Sequence, residues 1–208
     1  FRKSNRPFAL RSIKVGSWVG LIGILATLGF GDRSAVDVAK YQPMKLAAME
    51  GLYHGQKGQG IVAVGVLNPN KQWDNNEDQY TACIEIPYGL AYLARRDIHA
   101  FVPGISDIIN GFDIATNGDT INTVSYAERI ELGKLSHEAL RNYDKARAVG
   151  DTVAMAAAAA DLQKNYPYFG YGYFNSVDEA IPPVGVTFTS FRIMVILGGY
   201  FMLFFLVF

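Results

Sequence analysis

Four residues in this sequence carry side chains that could do chemistry. Lys45 and Glu50 stand five positions apart in Lys45-Leu46-Ala47-Ala48-Met49-Glu50, a run of strong helix formers. A carboxylate there can take up a proton, and an ammonium can donate a hydrogen bond to a developing charge. At five residues' spacing on a helix the two point about 140° apart, so they are not a simple intrahelical ion pair. Taken alone, two such charges are ordinarily a solvated helix face. Arg192 is a different matter, because it is the single charge in an otherwise apolar run over residues 184–208. A charge inside a membrane span is expensive and marks function by default, although one about two turns from the span's start can also snorkel to the surface. Met194 follows two residues later. A thioether is a soft, polarizable group that can ligate a metal, but methionine is also a common filler of irregular apolar gaps.

Those positions need elements to hold them. Residues 12–31 and 184–208 are two apolar stretches, each long enough for about 20 residues at 1.5 Å rise to cross a roughly 30 Å hydrocarbon layer. Lys14 lies near the first start and can snorkel. A signal peptide also shows a basic start and an apolar run, but this run is long for one and no small-residue cleavage pattern follows it. Pro182 and Pro183 open the second stretch, where a missing N–H costs a helix little. The sequence starts at Phe1 and stops at Phe208 inside an apolar run, so the expectation is a piece of a longer subunit.

Charge fixes the expected orientation. Arg2, Lys3, Arg6, Arg11 and Lys14 crowd the first 14 positions without an acid. Residues 31–183 carry 13 Lys/Arg against 19 Asp/Glu. Basic residues stay cytoplasmic, so the long middle segment faces outward. The expected organisation is a cytoplasmic basic segment at 1–11, a transmembrane helix at 12–31, an extracytoplasmic loop at 32–183 and a second transmembrane helix at 184–208. The fold class is a mainly α membrane protein fragment, its large loop mostly helical with a short β-hairpin. Zero net charge excludes nucleic-acid binding as a whole-chain property, and the single Cys83 excludes an internal disulfide or a cysteine metal cage.

Within the loop, Pro43 begins a predicted helix with Leu46, Met49 and Tyr53 on one apolar face. His54-Gly55-Gln56-Lys57-Gly58-Gln59-Gly60 breaks it. Residues 61–67 and 81–86 read as paired strands around a polar turn. Short helices are predicted from Pro87 to Arg96 and from Ile105 to Phe112. Longer ones are predicted over 126–149 and 152–165. The glycine-rich stretch lacks the preceding strand and the Lys-Ser/Thr of a phosphate loop. Trp73 to Asp78 lacks the spacing of a calcium loop. The aromatic run 166–174 suits either a quinone ring or a membrane-surface belt.

Two long motifs, GDRSAVDVAKYQPMKLAAMEGLY at 31–53 and IPPVGVTFTSFRIMVILG at 181–198, together resemble subunit I of the cytochrome bd-type quinol oxidases. IPYGLAYLARR and ERIELGK, between them, fit the same family. The resemblance covers essentially the whole sequence. It implies that the spans are the sixth and seventh of nine helices and that the segment between them is the quinol-binding loop. It implies that Lys45 and Glu50 take part in quinol oxidation, and that Met194 is an axial ligand of a low-spin haem b with Arg192 near a haem propionate. The histidine opposite Met194, and the ligands of the high-spin haem b and haem d, would lie elsewhere, since His54, His99 and His137 are all in the loop. The implied partners are membrane ubiquinol or menaquinol, the rest of subunit I, subunit II and the bilayer of a bacterial cytoplasmic membrane. A two-span sensor with an outward ligand-binding domain is the alternative that topology alone allows.

Overall fold

The computed structural model describes residues 6–114 and 120–207. Two long helices carry the apolar stretches. α1 runs Arg6–Tyr41 and α7 runs Val184–Val207, and both are long and apolar enough to cross a membrane. Their outer faces, from Trp18 and Ile22 on α1 to Ile196 and Leu203 on α7, stand open. Arg2 and Lys3, part of the basic opening segment, lie outside the described residues, whereas Arg6 and Arg11 form the first turns of α1.

α1 is longer than its apolar stretch. It continues through Asp32, Arg33 and Asp37 to Tyr41, about 54 Å in all at 1.5 Å per residue. The sequence suggests no break there, since 32–40 contains neither glycine nor proline; the helix ends only at the Gln42-Pro43 step. Phe205 of α7 packs on Gly20 of α1 so closely that a side chain at Gly20 would enter its ring. About 20 Å further along from that contact, α7 reaches Arg192 and α1 reaches its next charges, Asp32 and Arg33.

Between the two long helices the chain folds mostly as helix. α2 (Pro43–Glu50) has proline in its first turn and stops at Gly51, whose left-handed backbone (φ 64°) lets its N–H reach the carbonyls of Ala47 and Ala48. Tyr53 is therefore not on the helix, as its spacing suggested, but is buried just past that cap. β1 (Gln56–Lys57) pairs with β4 (Phe101–Val102), and β2 (Ile61–Leu67) with β3 (Tyr80–Ile86), both antiparallel. The β2–β3 hairpin is the expected one; the β1–β4 ribbon, two residues per strand, is too short to leave a periodic trace. α3 is Gly89–Arg95, and Arg96 beyond it is ion-paired with Asp32, clasping α3 to α1.

α4 (Ile105–Ile109) is shorter than expected. Gly111, at φ 90°, turns the chain so that Phe112 enters β5 (Phe112–Ile114), paired with β6 (Thr120–Asn122). α5 (Tyr126–Val149) and α6 (Thr152–Asn165) have the expected bounds because their ends are chemically marked. The Ser125 side chain accepts from the Glu128 N–H, Gly150 closes α5 in a left-handed turn, and Asp151 accepts from the N–H groups of Val153 and Ala154. The aromatic run 166–173 coils as a 3₁₀ helix against α5, where Gly133 and Gly172 bring the two backbones into contact.

α2 lies between two cores. Met44, Ala47 and Ala48 join Tyr53, Ile105, Ile108, Tyr126 and Val184 on one side. Leu46 joins Ala39, Leu52, Leu90, Ala91 and Val102 on the other. The Asp107 carboxylate accepts from the N–H groups of Gly55 (2.7 Å) and Gly104 (2.9 Å), tying the segment after α2 to the start of α4.

Candidate functional site

The first two turns of α7 face the folded loop. Val184, Phe188 and Arg192 recur at four-residue spacing, and all three are buried, while Ile193 to Leu197 stand open. That stripe meets the C-terminal end of α2. There Glu50, 3% exposed, and Arg192, 7% exposed, form a buried ion pair through Oε2 and an Arg192 terminal nitrogen. Phe188 lies under the guanidinium, 5.0 Å from its centre, and Phe191 flanks it at 5.4 Å. Tyr80 of β3 completes the enclosure: its hydroxyl donates to the Glu50 carbonyl (2.7 Å) and its ring packs against Phe188.

Two opposing effects act on the Glu50 carboxyl. Burial raises its pKa above the usual carboxylate value, and the Arg192 charge and hydrogen bond pull it down, with burial the larger. Burial likewise pushes the Tyr80 hydroxyl far above the ordinary tyrosine value, and the Glu50 charge adds to this. Tyr80 therefore remains a donor at any working pH. Arg192 Nε is buried with no hydrogen-bond partner among the described residues. An orphaned donor of this kind calls for an acceptor, and an acidic group of a cofactor would supply one.

Lys45 is on the other side of α2. It is exposed and lines a cavity of about 540 Å³ with Lys40, Tyr41, Arg129, Tyr171 and Phe174. Arg129 is held there by Val124 O (2.7 Å), Thr123 Oγ1 (2.7 Å) and the Tyr171 hydroxyl (3.1 Å). Of the four sequence-nominated residues, the structure thus brings Glu50 and Arg192 together and leaves Lys45 and Met194 apart from them. Met194, 59% exposed, shares an open face with Gly198, one turn on, where a side chain would meet nothing within 4 Å. A thioether beside a bare helical turn on one open face leaves room for a flat macrocycle, which the Met194 sulfur would help hold. No cluster of His, Cys, Asp and Glu suited to a metal ion occurs among the described residues.

Sequence reasoning passed over Tyr80 and Phe188. The four-residue recurrence of Val184, Phe188 and Arg192 was the available signal for the second, because it makes one stripe of α7 differ from the rest. Tyr80 had none, since its role depends on a hairpin that returns 30 residues later. Lys71 was also passed over. It is buried, with Nζ 3.2 Å from His54 Nε2, 2.7 Å from the Asn75 carbonyl and over the Tyr53 ring.

Comparison with known proteins agrees with the motifs. The family model of cytochrome bd terminal oxidase subunit I matches residues 1–208. The chain is 29% identical to the cytochrome bd-II ubiquinol oxidase subunit 1 of Escherichia coli K12 over 97% of its own length and 38% of that protein's. It is 29% identical to the cytochrome bd ubiquinol oxidase subunit 1 of Bacillus subtilis, over 64% of the chain and 28% of the relative. A putative cytochrome bd menaquinol oxidase subunit I, also from Bacillus subtilis, is 30% identical over 49% of the chain and 21% of the relative. The chain thus spans less than two fifths of the length of these curated relatives, and nothing in the matches supports the sensor alternative. With its two membrane-capable helices flanking a helical loop, and a family match along its whole length, the chain belongs to the cytochrome bd terminal oxidase subunit I family.

Proposed function

We propose that this chain is the quinol-oxidising segment of a respiratory oxidase that passes electrons from membrane quinol through haem b to oxygen, reducing it to water. The observation that carries the reading is the buried pair between Glu50, on the loop's first helix, and Arg192, two residues before Met194. It joins a group able to take a proton to the helix nominated to hold the electron acceptor.

Oxidation of a quinol releases two electrons and two phenolic protons. Glu50, ionised against Arg192, accepts one of those protons as a general base. Lys45, on the open side of α2, donates a hydrogen bond to an oxygen of the approaching ring and holds it at the loop. Met194 and the free Nε of Arg192 are the groups that would hold a haem b, through its iron and a propionate respectively; the remaining haem ligands belong to other parts of the enzyme. When bound, the haem supplies a one-electron acceptor whose potential a methionine ligand raises. The names of the relatives include both ubiquinol and menaquinol oxidases, which supports membrane quinol as the substrate class.

Glu50→Gln keeps the shape and hydrogen-bonding capacity of the side chain and removes its basicity. Quinol turnover by the assembled oxidase should fall about 10²–10⁴-fold, while oxygen reduction by an artificial donor that bypasses the loop is retained. Wild-type quinol turnover in that variant would remove Glu50 from the mechanism. The loop is outward-facing in this reading, which the basic residues before the first span support. An exposed site in the polar turn, Glu77→Cys in a background otherwise free of cysteine, should therefore react with an impermeant label in intact spheroplasts. Reaction only after lysis would reverse the topology.

A further inference from the structure

We propose that Arg192 is a positioning residue for Glu50, fixing the carboxylate at the junction of loop and helix and keeping it in its proton-accepting form in a site sealed from water. The proposal rests on the reading of Glu50 as the base, and it assigns Arg192 a role toward the loop that is separate from any contact with a haem.

Three observations carry it. Glu50 and Arg192 are both more than nine-tenths buried and bind each other directly, across 142 residues of sequence. A lone carboxylate in such a place would take up a proton rather than remain charged, because desolvation penalises the ionised form. Both partners are also locked from outside the pair. Gly51 ends α2 directly after Glu50, and the Tyr80 hydroxyl holds the Glu50 carbonyl. The Phe188 and Phe191 rings of its own helix both pack against the guanidinium.

The charges that face Glu50 are few. Arg192 is the charge that acts on it, and neither α1 nor α4, which also pack on α2, contributes one. From β3 the facing titratable group is Tyr80, which burial keeps protonated, so it offers a dipole and not a charge. Cys83 and Glu85 lie further along β3 and influence Tyr80, not Glu50.

The sign of the pH effect follows. Glu50 works only when deprotonated, so quinol oxidation falls as pH drops through its pKa. Removing the guanidinium removes the influence that lowers that pKa and leaves burial unopposed. The acid limb of the pH–rate profile should then move to higher pH, by about 1–3 units, the range expected for an opposite charge in contact.

The test uses the assembled oxidase carrying Arg192→Gln or Arg192→Lys, with Glu50→Gln as reference. The first readout is the acid limb of quinol oxidation. The second is an infrared pH titration of the carboxylic C=O band that Glu50→Gln abolishes, which needs no turnover. Arg192→Gln should raise both midpoints, and Arg192→Lys should raise them less, since its charge remains but its planar fork does not. Should Arg192→Gln fail to assemble, the lysine variant alone decides by the same upward shift. An unmoved infrared midpoint in an assembled Arg192 variant, with Glu50→Gln still inactive toward quinol, overturns the positioning role and leaves Glu50 as the base. A Glu50→Gln enzyme that oxidises quinol normally overturns the assignment of the base, whereas the infrared shift still reports whether the pair exists.

Discussion

The two sides of α2 are built for different work. Glu50 looks toward α7 into a closed junction, where its partner, two phenyl rings and a tyrosine hydroxyl account for its surroundings. Lys45, five residues earlier, looks into an open cavity beside Lys40 and Arg129, where no acid lines the wall. The closed side can tune a proton affinity, because away from water each charge is felt more strongly than at the surface. The open side can bind and release, because its lysines stay solvated and contact with a ligand costs them little. One eight-residue helix thus separates a buried, paired carboxylate from an exposed ammonium. The sequence places both residues in one motif about 140° apart on a helix, and in the structure that spacing becomes one closed environment and one open.

The strongest way to break this contrast is at the closed junction. Arg192→Leu leaves the Glu50 carboxyl buried without its partner, and breaking a buried pair from one side typically costs about 3–5 kcal/mol. The yield of assembled subunit should fall sharply, measured as complex recovered from the membrane and its thermal midpoint. Glu50→Leu combined with Arg192→Leu should restore much of that stability without restoring quinol oxidation, since apolar replacements of a buried pair are often neutral. If the double variant is no more stable than the single one, the junction is held by something other than the pair. Lower in expected effect is Met194→Leu, on the open face of α7. It keeps bulk and hydropathy and removes only sulfur, so the low-spin haem b band should vanish or its potential should drop while the polypeptide still assembles. An unchanged reduced-minus-oxidised spectrum and midpoint would make Met194 a packing residue.

How much of this was legible in advance depended on whether the deciding interactions were local. α5 and α6 could be bounded to the residue because Ser125, Gly150 and Asp151 mark their own ends. α7 was visible from composition and from Pro182 and Pro183. The hydrocarbon-length pattern ends at Gly31, yet α1 continues to Tyr41 because nothing in the next nine residues breaks a helix. The over-long reading of α4 failed at Gly111, whose positive φ is set by the close approach of the Thr123 backbone, a contact distant in sequence. The same reason hid the partner of Arg192. Burial of an arginine in an apolar helix announces that a partner exists, but which carboxylate it is depends on how 142 intervening residues fold back. The four-residue stripe of Val184, Phe188 and Arg192 narrowed the face, and the structure supplied Glu50.

The mildest expected effect lies on the open side of α2 and tests whether Lys45 is a binding group at all. Lys45 is exposed at the cavity wall, and no ion pair or hydrogen bond from its ammonium fixes it among the described residues. Its removal therefore leaves no unsatisfied partner behind, and Lys45→Met, which keeps most of the aliphatic stem, should leave assembly and thermal midpoint where they are. In the proposed role it should lose a charge-assisted hydrogen bond to the ring oxygen, for which about 1.5 kcal/mol is a fair size. That corresponds to a rise of about tenfold in apparent KM for quinol, with kcat much less affected, because losing a contact made equally in the ground and transition states raises KM alone. The opposite split, a fall in kcat at constant KM, would place Lys45 in the chemistry beside Glu50 and erase the division between the two sides of the helix. Lys40 serves as the control. It shares the cavity wall and sits over the Tyr41 ring at 5.1 Å. If Lys40→Met raises KM as much as Lys45→Met does, the cavity attracts the ring through its general positive charge, and the effect should then fade with added salt, as a positioned hydrogen bond would not.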